Sequence, residues 1–490
     1  MNPTGLCRDL PGTGPCIFEP LNNYTMFQKS TYQQRRDHLR KQLNDGIILF
    51  VGNDESPMNY ADNPFHFRQD STFLYYFGVD KPQLYALMDI DAGKDFIFGD
   101  DFTVEDFVWM GYQPPIKELS SEFGVENTGN LKELKTYLDK ARQQERTIHF
   151  LPPYRDEHKL KLWRMLDISP EESESRSSLP LIQAIGEQRI IKSEEEIAEI
   201  EKAVNISVDM HLAAMHTAKP GMKEYEVMAR VHEVALENGG NLAFPIIATI
   251  HGEFLHNHYH GNTIRSGDLF LVDAGAETEM HYAGDLSSTF PVDPTFTQEQ
   301  KDIFNVALKA HEGALQALTP GKNFREVHLE AARNLAEGMK ELGFMKGNID
   351  DAVQAGAHAL FFPCGLGHLM GLDAHDMENL GEQNFGYLGQ PKSKQFGLKS
   401  LRLGRELKPG FVLTIEPGVY FSPQLIDDWK SAGKHAEFIN YDKVEAYKNF
   451  GGTRNEENVL ITPDGYRILG KQKPKTIEQV EKERQKAFHG

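Results

Sequence analysis

The sequence predicts two domains, an α/β N-terminal domain followed by a larger α+β domain built on an internal pseudo-twofold repeat. Three observations carry that expectation. The chain has 490 residues, too many for one ordinary hydrophobic core. Its first third alternates helix-like and strand-like segments, the pattern of an α/β layer structure. In the second part, a helix, a Pro-Gly break, a second helix and apolar strands occur in that order twice, which implies two related halves around a cleft.

Residues 1–24 are rich in Pro, Gly and Asn and read as an irregular N-terminal arm. Residues 25–180 read as the α/β domain. Within it, 31–43 is a charged amphipathic helix leading into the buried strand 46–51. Segments 72–77, 84–90 and 95–98 read as further strands, 124–127 closes another segment, and 147–151 is one more apolar run, together a mixed sheet. The aromatic stretch FHFRQDSTFLYYFGV, 65–79, reads chiefly as core, with part of it able to project into a neighbouring subunit's cleft. The polar run EESESRSS, 171–178, marks a domain boundary between 170 and 190.

Residues 181–480 read as the repeat domain, with 481–490 as a C-terminal tail. Ser193 with Glu196 three residues on forms a capping box, opening a helix that runs to Met215 and stops at Lys219-Pro220-Gly221. A second helix spans 224–239. From Thr297 the order recurs, broken at Thr319-Pro320-Gly321, and Glu226-Val227 returns as Glu326-Val327.

Charge and cysteine content exclude several classes. A formal net charge of −20 argues against a phosphate-tracking surface, so no nucleic-acid partner is expected. No run of apolar residues is long enough to span a membrane. Cys7, Cys16 and Cys364 cannot build a disulfide framework, which points to a reducing, cytoplasmic setting.

The chemistry centres on 271–292, LVDAGAETEMHYAGDLSSTFPV, which sets Asp273 and Asp285 in two apolar runs. Facing hairpin strands lie about 5 Å apart, so carboxylates on them can reach one cation. Two turn aspartates are the bland alternative, but aspartates entering apolar strands need a partner. Three more ionisable groups adjoin apolar runs. His368 lies among glycines 365, 367 and 371; Glu416 follows the strand 411–415; Glu456 stands at the entrance to the strand 458–462. Singly, each reads equally as a satisfied core histidine or a turn glutamate. Together they form a hard, oxygen-rich set suited to Mn²⁺, Co²⁺, Zn²⁺ or Fe²⁺, with carboxylates bridging two ions. A thiolate zinc site is not expected, because Cys364 has no second thiol nearby. His256, His258 and His260 alternate along an extended chain and would suit a cupin-like oxygenase, but that reading leaves the acidic positions unexplained.

With these residues in place, the repeat domain resembles the pita-bread metallopeptidases: methionine aminopeptidase, aminopeptidase P (Xaa-Pro aminopeptidase) and prolidase. The stretch FRQDSTFLYYFG resembles the creatinase-like N-terminal domain that aminopeptidase P shares with prolidase, so the likeness covers roughly residues 25–480. The resemblance implies that Asp273, Asp285, His368, Glu416 and Glu456 hold two divalent metal ions, with Mn²⁺ preferred and Co²⁺, Zn²⁺ or Fe²⁺ as alternatives. It casts Glu416 as proton acceptor, His256 and His375 as substrate-side histidines, and Tyr420 and Arg454 as braces for the metal carboxylates. It implies hydrolysis of the Xaa-Pro bond at peptide N-termini. Prolidase action on dipeptides is the alternative, because Arg402 matches an arginine by which prolidases hold a free carboxylate. A non-catalytic peptide-binding scaffold is the third reading, and a homodimer or homotetramer is implied. Two departures stand out. The Asp273–Asp285 spacing is one residue longer than usual, which a β-bulge could absorb, and Cys364 occupies the usual histidine position of a PHGLGH-like stretch.

Overall fold

A computed structural model describes residues 27–489, so the arm expected over 1–24 lies outside the described residues, as do Cys7 and Cys16. In the N-terminal part, β1 (Ile47–Val51), β2 (Tyr85–Asp89), β3 (Lys94–Phe98), β4 (Asn127–Gly129) and β5 (Ile148–His149) form one sheet in the order β4-β3-β2-β1-β5. The three central strands pair antiparallel and the two outer ones parallel, giving the expected mixed sheet. The helix Lys29–Gln42 packs on this domain through an unexpected residue. Arg36 is wholly buried, and its guanidinium donates to Tyr76 O at 2.7 Å, Phe123 O at 3.0 Å and Asp95 Oδ2 at 2.8 Å.

Residues 72–77, expected as a strand, are instead part of the helix Ser71–Phe77, all of whose residues are buried. Local end signals override the β-preference of its aromatic residues. The Asp70 side chain accepts from Phe73 N at 2.8 Å, and Gly78 closes the helix at φ 67°. Of the aromatic stretch, Phe73, Tyr75, Tyr76 and Phe77 are core, whereas Phe65 is exposed.

The repeat is visible in the backbone. The helix pairs Glu194–Thr217 with Glu224–Glu237 and Gln298–Gln316 with Phe324–Glu341 are opened by matching capping boxes, Ser193–Glu196 and Thr297–Gln300. The loops after the first helix of each pair correspond: Gly221 N donates to Ile264 O at 2.9 Å, and Gly321 N to Leu407 O at 2.8 Å. Both glycines have left-handed backbone, φ 94° and 85°, where L side chains are disfavoured. Each half contributes a three-stranded antiparallel sheet. The first joins Ile247–Thr249, Leu269–Ala274 and Leu286–Pro291; the second joins Val412–Ile415, Glu457–Thr462 and Gly465–Ile468. The fold is thus a pita-bread α+β domain behind an α/β N-terminal domain.

Leu269–Ala274 and Leu286–Pro291 pair in unbroken register, so the long Asp273–Asp285 spacing requires no bulge between them. The connecting turn takes up the extra length, with His281 at φ 65°. The last helix, Ile477–His489, includes nearly all of the expected tail. It is anchored by buried Arg484, which donates to Pro291 O and to Ala218 O, both at 2.7 Å. Among the described residues no helix is long and apolar enough to cross a membrane.

Candidate active site

The two half-sheets approach each other where Leu286–Pro291 meets the start of Glu457–Thr462, and the ionisable residues sit at that junction. Asp273 lies on Leu269–Ala274, Asp285 just before Leu286–Pro291, Glu416 just after Val412–Ile415 and Glu456 just before Glu457–Thr462. Cross-links tie the halves: Asp285 N donates to Asn458 Oδ1 at 3.0 Å, and Glu456 N donates to Ser287 O at 3.1 Å. His368 enters from the preceding loop, where its N–H donates to Thr414 Oγ1 at 3.1 Å. Gly367 makes that approach possible, since a Cβ there would lie 1.9 Å from Thr414 O.

Asp285, His368 and Glu456 are buried and present ligand atoms within 4.8 Å of one another. His368 Nε2 lies 3.4 Å from Asp285 Oδ2 and 3.7 Å from Glu416 Oε1. Burial, reinforced by the neighbouring carboxylates, raises Asp285 and Glu456 well above the carboxylate range and raises Glu416 as well. Burial lowers His368. The nearest strong cation is already used. Arg454 Nη2 donates to Asp273 Oδ2 at 2.5 Å and its Nε to Ser287 Oγ at 2.9 Å, while Tyr420 OH lies 3.5 Å from Nη1. Ser287 Oγ in turn donates to Glu456 Oε2 at 2.7 Å, so the arginine orients two carboxylates. Among the described residues Asp285, Glu416 and Glu456 pair with no Arg or Lys. Clustered buried carboxylates of this kind are stable as anions only against divalent cations, and the donor set is hard oxygen plus one imidazole; the residues fit such ions.

The cluster opens into a cavity of about 890 Å³ that brings together Asp273, Asp285, His368, Glu416, Glu456, His256, His375, Arg402, Arg454 and Cys364. Tyr420 stands behind the wall, fully buried. The three alternating histidines do not act together. His256 and His258 line the cavity, whereas His260 Nε2 bonds Ile246 O at 3.1 Å. They belong to no metal-competent group among the described residues, so that grouping gives the oxygenase reading no support. His375 Nδ1 lies 2.7 Å from Glu378 Oε2, and the rings of His368 and His375 are 4.0 Å apart. The hydrogen bond from His375, helped by Arg402, holds the Glu378 carboxyl down at about 2. Arg402 Nη1 pairs with Glu378 and donates to Glu382 Oε1 at 2.8 Å. Burial pushes the Cys364 thiol on the cavity wall up to about 12, and Cys364 belongs to no metal-competent group among the described residues.

Sequence reasoning overlooked the N-terminal domain's share of this cavity. Asn53, Arg68, Asp70, Ser71 and Tyr154 all line it, as do Asp373 and Glu378 from the catalytic half. The available signal was the polar group Arg68-Gln69-Asp70-Ser71 interrupting an aromatic run.

A two-lobed α+β domain whose junction gathers carboxylates and one histidine defines a pita-bread metallopeptidase. The chain belongs to metallopeptidase family M24, whose model matches residues 198–463, and the aminopeptidase P N-terminal domain matches residues 32–149. It is 29% identical to the human Xaa-Pro dipeptidase over 443 residues, 89% of this chain and 88% of that one. It is 31% identical to a probable Xaa-Pro aminopeptidase of Fusarium vanettenii, covering 89% of this chain and 92% of the relative. Zinc-substituted Escherichia coli aminopeptidase P in complex with product superposes with a TM-score of 0.76 at 26% identity, covering 94% of this chain and 99% of that one.

Proposed function

We propose that this chain is a metal-dependent exopeptidase that hydrolyses the Xaa-Pro bond at the N-terminus of peptides. The observation that carries the reading is the group Asp285, Glu416 and Glu456, the first and last buried and Glu416 part-buried, unpaired by Arg or Lys and facing a cavity that also holds His256 and His375. Asp273, Asp285, His368, Glu416 and Glu456 would hold two divalent ions, Mn²⁺ first and Co²⁺, Zn²⁺ or Fe²⁺ as alternatives. Ions bound there would supply a water acidified to near-neutral pKa. Glu416 takes the proton of the attacking water and passes it to the departing proline nitrogen. His375, oriented by Glu378, donates to the developing oxyanion. His256, also on the cavity wall, binds the peptide, and Arg454 with Tyr420 keeps Asp273 in place.

Arg402 bears on peptide length. Its contacts with Glu378 and Glu382 leave it engaged by protein carboxylates, which favours an aminopeptidase over a dipeptidase. Its place on the cavity wall supports the second reading, a prolidase in which Arg402 turns to a dipeptide's carboxylate. Assembly as a homodimer or homotetramer is supported by the helix Val104–Met110, where Val104, Val108 and Trp109 are 81%, 77% and 79% exposed. The domain boundary belongs near the polar turn at 170–177, before the helix Leu179–Arg189. The cysteine content supports a cytoplasmic setting.

The deciding experiment is hydrolysis of Gly-Pro beside Gly-Pro-Gly-Gly, with Mn²⁺ and with chelator, in the wild type and in Arg402→Ala. An aminopeptidase cleaves both, and Arg402→Ala changes their ratio by less than about threefold, since no substrate contact is lost. A dipeptidase cleaves Gly-Pro alone and loses it in the variant. Turnover of neither peptide returns the chain to the scaffold reading.

A further inference from the structure

Arg68 belongs to the N-terminal domain, yet its guanidinium reaches two segments that carry site residues of the other domain. Nε donates to Glu277 Oε2 at 2.6 Å, within the connection between Asp273 and Asp285. Nη2 donates to Leu372 O at 2.5 Å and lies 3.6 Å from Asp373 Oδ1. Nη1 donates to Gln69 O at 3.0 Å and Ser71 Oγ at 2.9 Å. A guanidinium has five N–H donors, and every nitrogen of this one is committed to protein groups. The side chain therefore borders the cavity without offering itself to a substrate anion.

Ser71 reinforces the same attachment, its hydroxyl donating to Asp373 Oδ1 at 2.6 Å. The other end of the segment is fixed from within the catalytic half. Arg189 Nη2 donates to Asp376 Oδ1 at 2.7 Å and Lys192 Nζ to Asp376 Oδ2 at 2.9 Å. Residues 372–376 are thus held at both ends, at 372–373 by Arg68 and Ser71 of the N-terminal domain with a longer contact from Arg189 Nη2 to Asp373 Oδ2 at 3.4 Å, and at 376 by Arg189 and Lys192. His375 lies between the two anchors.

We propose that Arg68, with Ser71, is a positioning residue through which the N-terminal domain sets His375 against the scissile bond. The proposal rests on the Xaa-Pro hydrolysis reading and adds to it: the N-terminal domain completes the active site by holding this loop in place. A misplacement of about 1 Å at a reacting group costs on the order of 100-fold in rate.

The test uses full-length, Mn²⁺-loaded protein and three variants, Arg68→Ala, Ser71→Ala and Arg35→Ala. Arg35 also joins the domains, lying 3.4 Å from Glu196 and 3.5 Å from Tyr282 OH, but it hydrogen-bonds none of residues 372–376. Arg68→Ala is expected to lower kcat on Gly-Pro-Gly-Gly about 100-fold with KM within about threefold, and added guanidinium is expected to restore roughly tenfold. Ser71→Ala, which deletes two hydrogen bonds, the one from Arg68 and the one to Asp373, is expected to lower kcat about tenfold with a fall in Tm of only a few degrees. Arg35→Ala is expected to stay within about threefold of wild type. A second readout is independent of turnover: acylation of His375 by diethyl pyrocarbonate, mapped by mass spectrometry, is expected to speed up in Arg68→Ala and Ser71→Ala only. Equal loss in Arg35→Ala, no rescue by guanidinium, or unchanged His375 acylation would each overturn the proposal. If the wild type cleaves no Xaa-Pro peptide, the functional reading fails, while the acylation rates still decide whether Arg68 places His375.

Discussion

Two clusters of carboxylate and histidine, one joining the N-terminal domain to the repeat domain and one lining the cavity, have electrostatics that run in opposite directions. At the domain junction, Arg68 and His281 outweigh the burial of Glu277 and draw it down to about 2. Asp80 and Glu277 likewise overcome burial and raise His281 to about 9, and Lys192 with Arg189 keeps Asp376 lowered. At the cavity floor, burial and mutual repulsion raise Asp285, Glu416 and Glu456, and His368 is lowered. The residue types are the same; the difference is whether the protein supplies the counter-charge. Where it does, the cluster is a latch that stabilises the fold. Where it does not, the fold carries a standing electrostatic cost that cations relieve, and chemistry becomes available.

The comparison is most severely tested at Glu416. Glu416→Ala is expected to lower metal-dependent turnover by about 10³–10⁴-fold, because on the proposed function it removes both a ligand and the proton acceptor. The metal-free protein should unfold at the same denaturant midpoint or a higher one, because one of several repelling carboxylates is gone. Calorimetry and peptide hydrolysis on one preparation check both; a less stable metal-free variant would place Glu416 in the latch class.

Asp376→Asn should do the reverse. Leaving Arg189 and Lys192 buried without their partner is expected to cost about 3–5 kcal/mol in urea unfolding. A loss under 1 kcal/mol would mean that the two cations find other partners and that the junction is not a latch.

The smallest effect is the pH dependence of the latch. Because His281 has a folded-state pKa raised to about 9 from 6.5, its contribution is complete below pH 6.5 and is lost as pH rises through about 9, amounting to about 3 kcal/mol at most. Glu277, lowered to about 2 from 4.5, contributes above pH 4.5 and loses that contribution as pH falls through about 2. Unfolding midpoints from pH 6 to 10 should fall in the wild type and stay flatter in His281→Gln. Parallel curves would remove His281 from the latch.

What could be read from the sequence was whatever depends on neighbours in the chain or on an internal copy. Capping boxes at Ser193 and Thr297, paired Pro-Gly breaks and ionisable residues adjoining apolar runs are local patterns, and they point to the repeat and to the acidic residues that line the cavity. Residues 72–77 read as a strand because aromatic composition favours one, while the deciding Asp70 and Gly78 contacts act at the ends of the helix Ser71–Phe77. The N-terminal domain's part in the site was invisible for a different reason. Arg68 meets Leu372, and Ser71 meets Asp373, across 304 and 302 residues, and no local periodicity records such a contact. The sequence determined which side chains were available to bind cations and in what order they arrive. Only the tertiary structure decided which buried carboxylates receive a counter-charge from the protein and which are left for metal, because compensation is a matter of a few ångströms between chain segments that folding alone brings together.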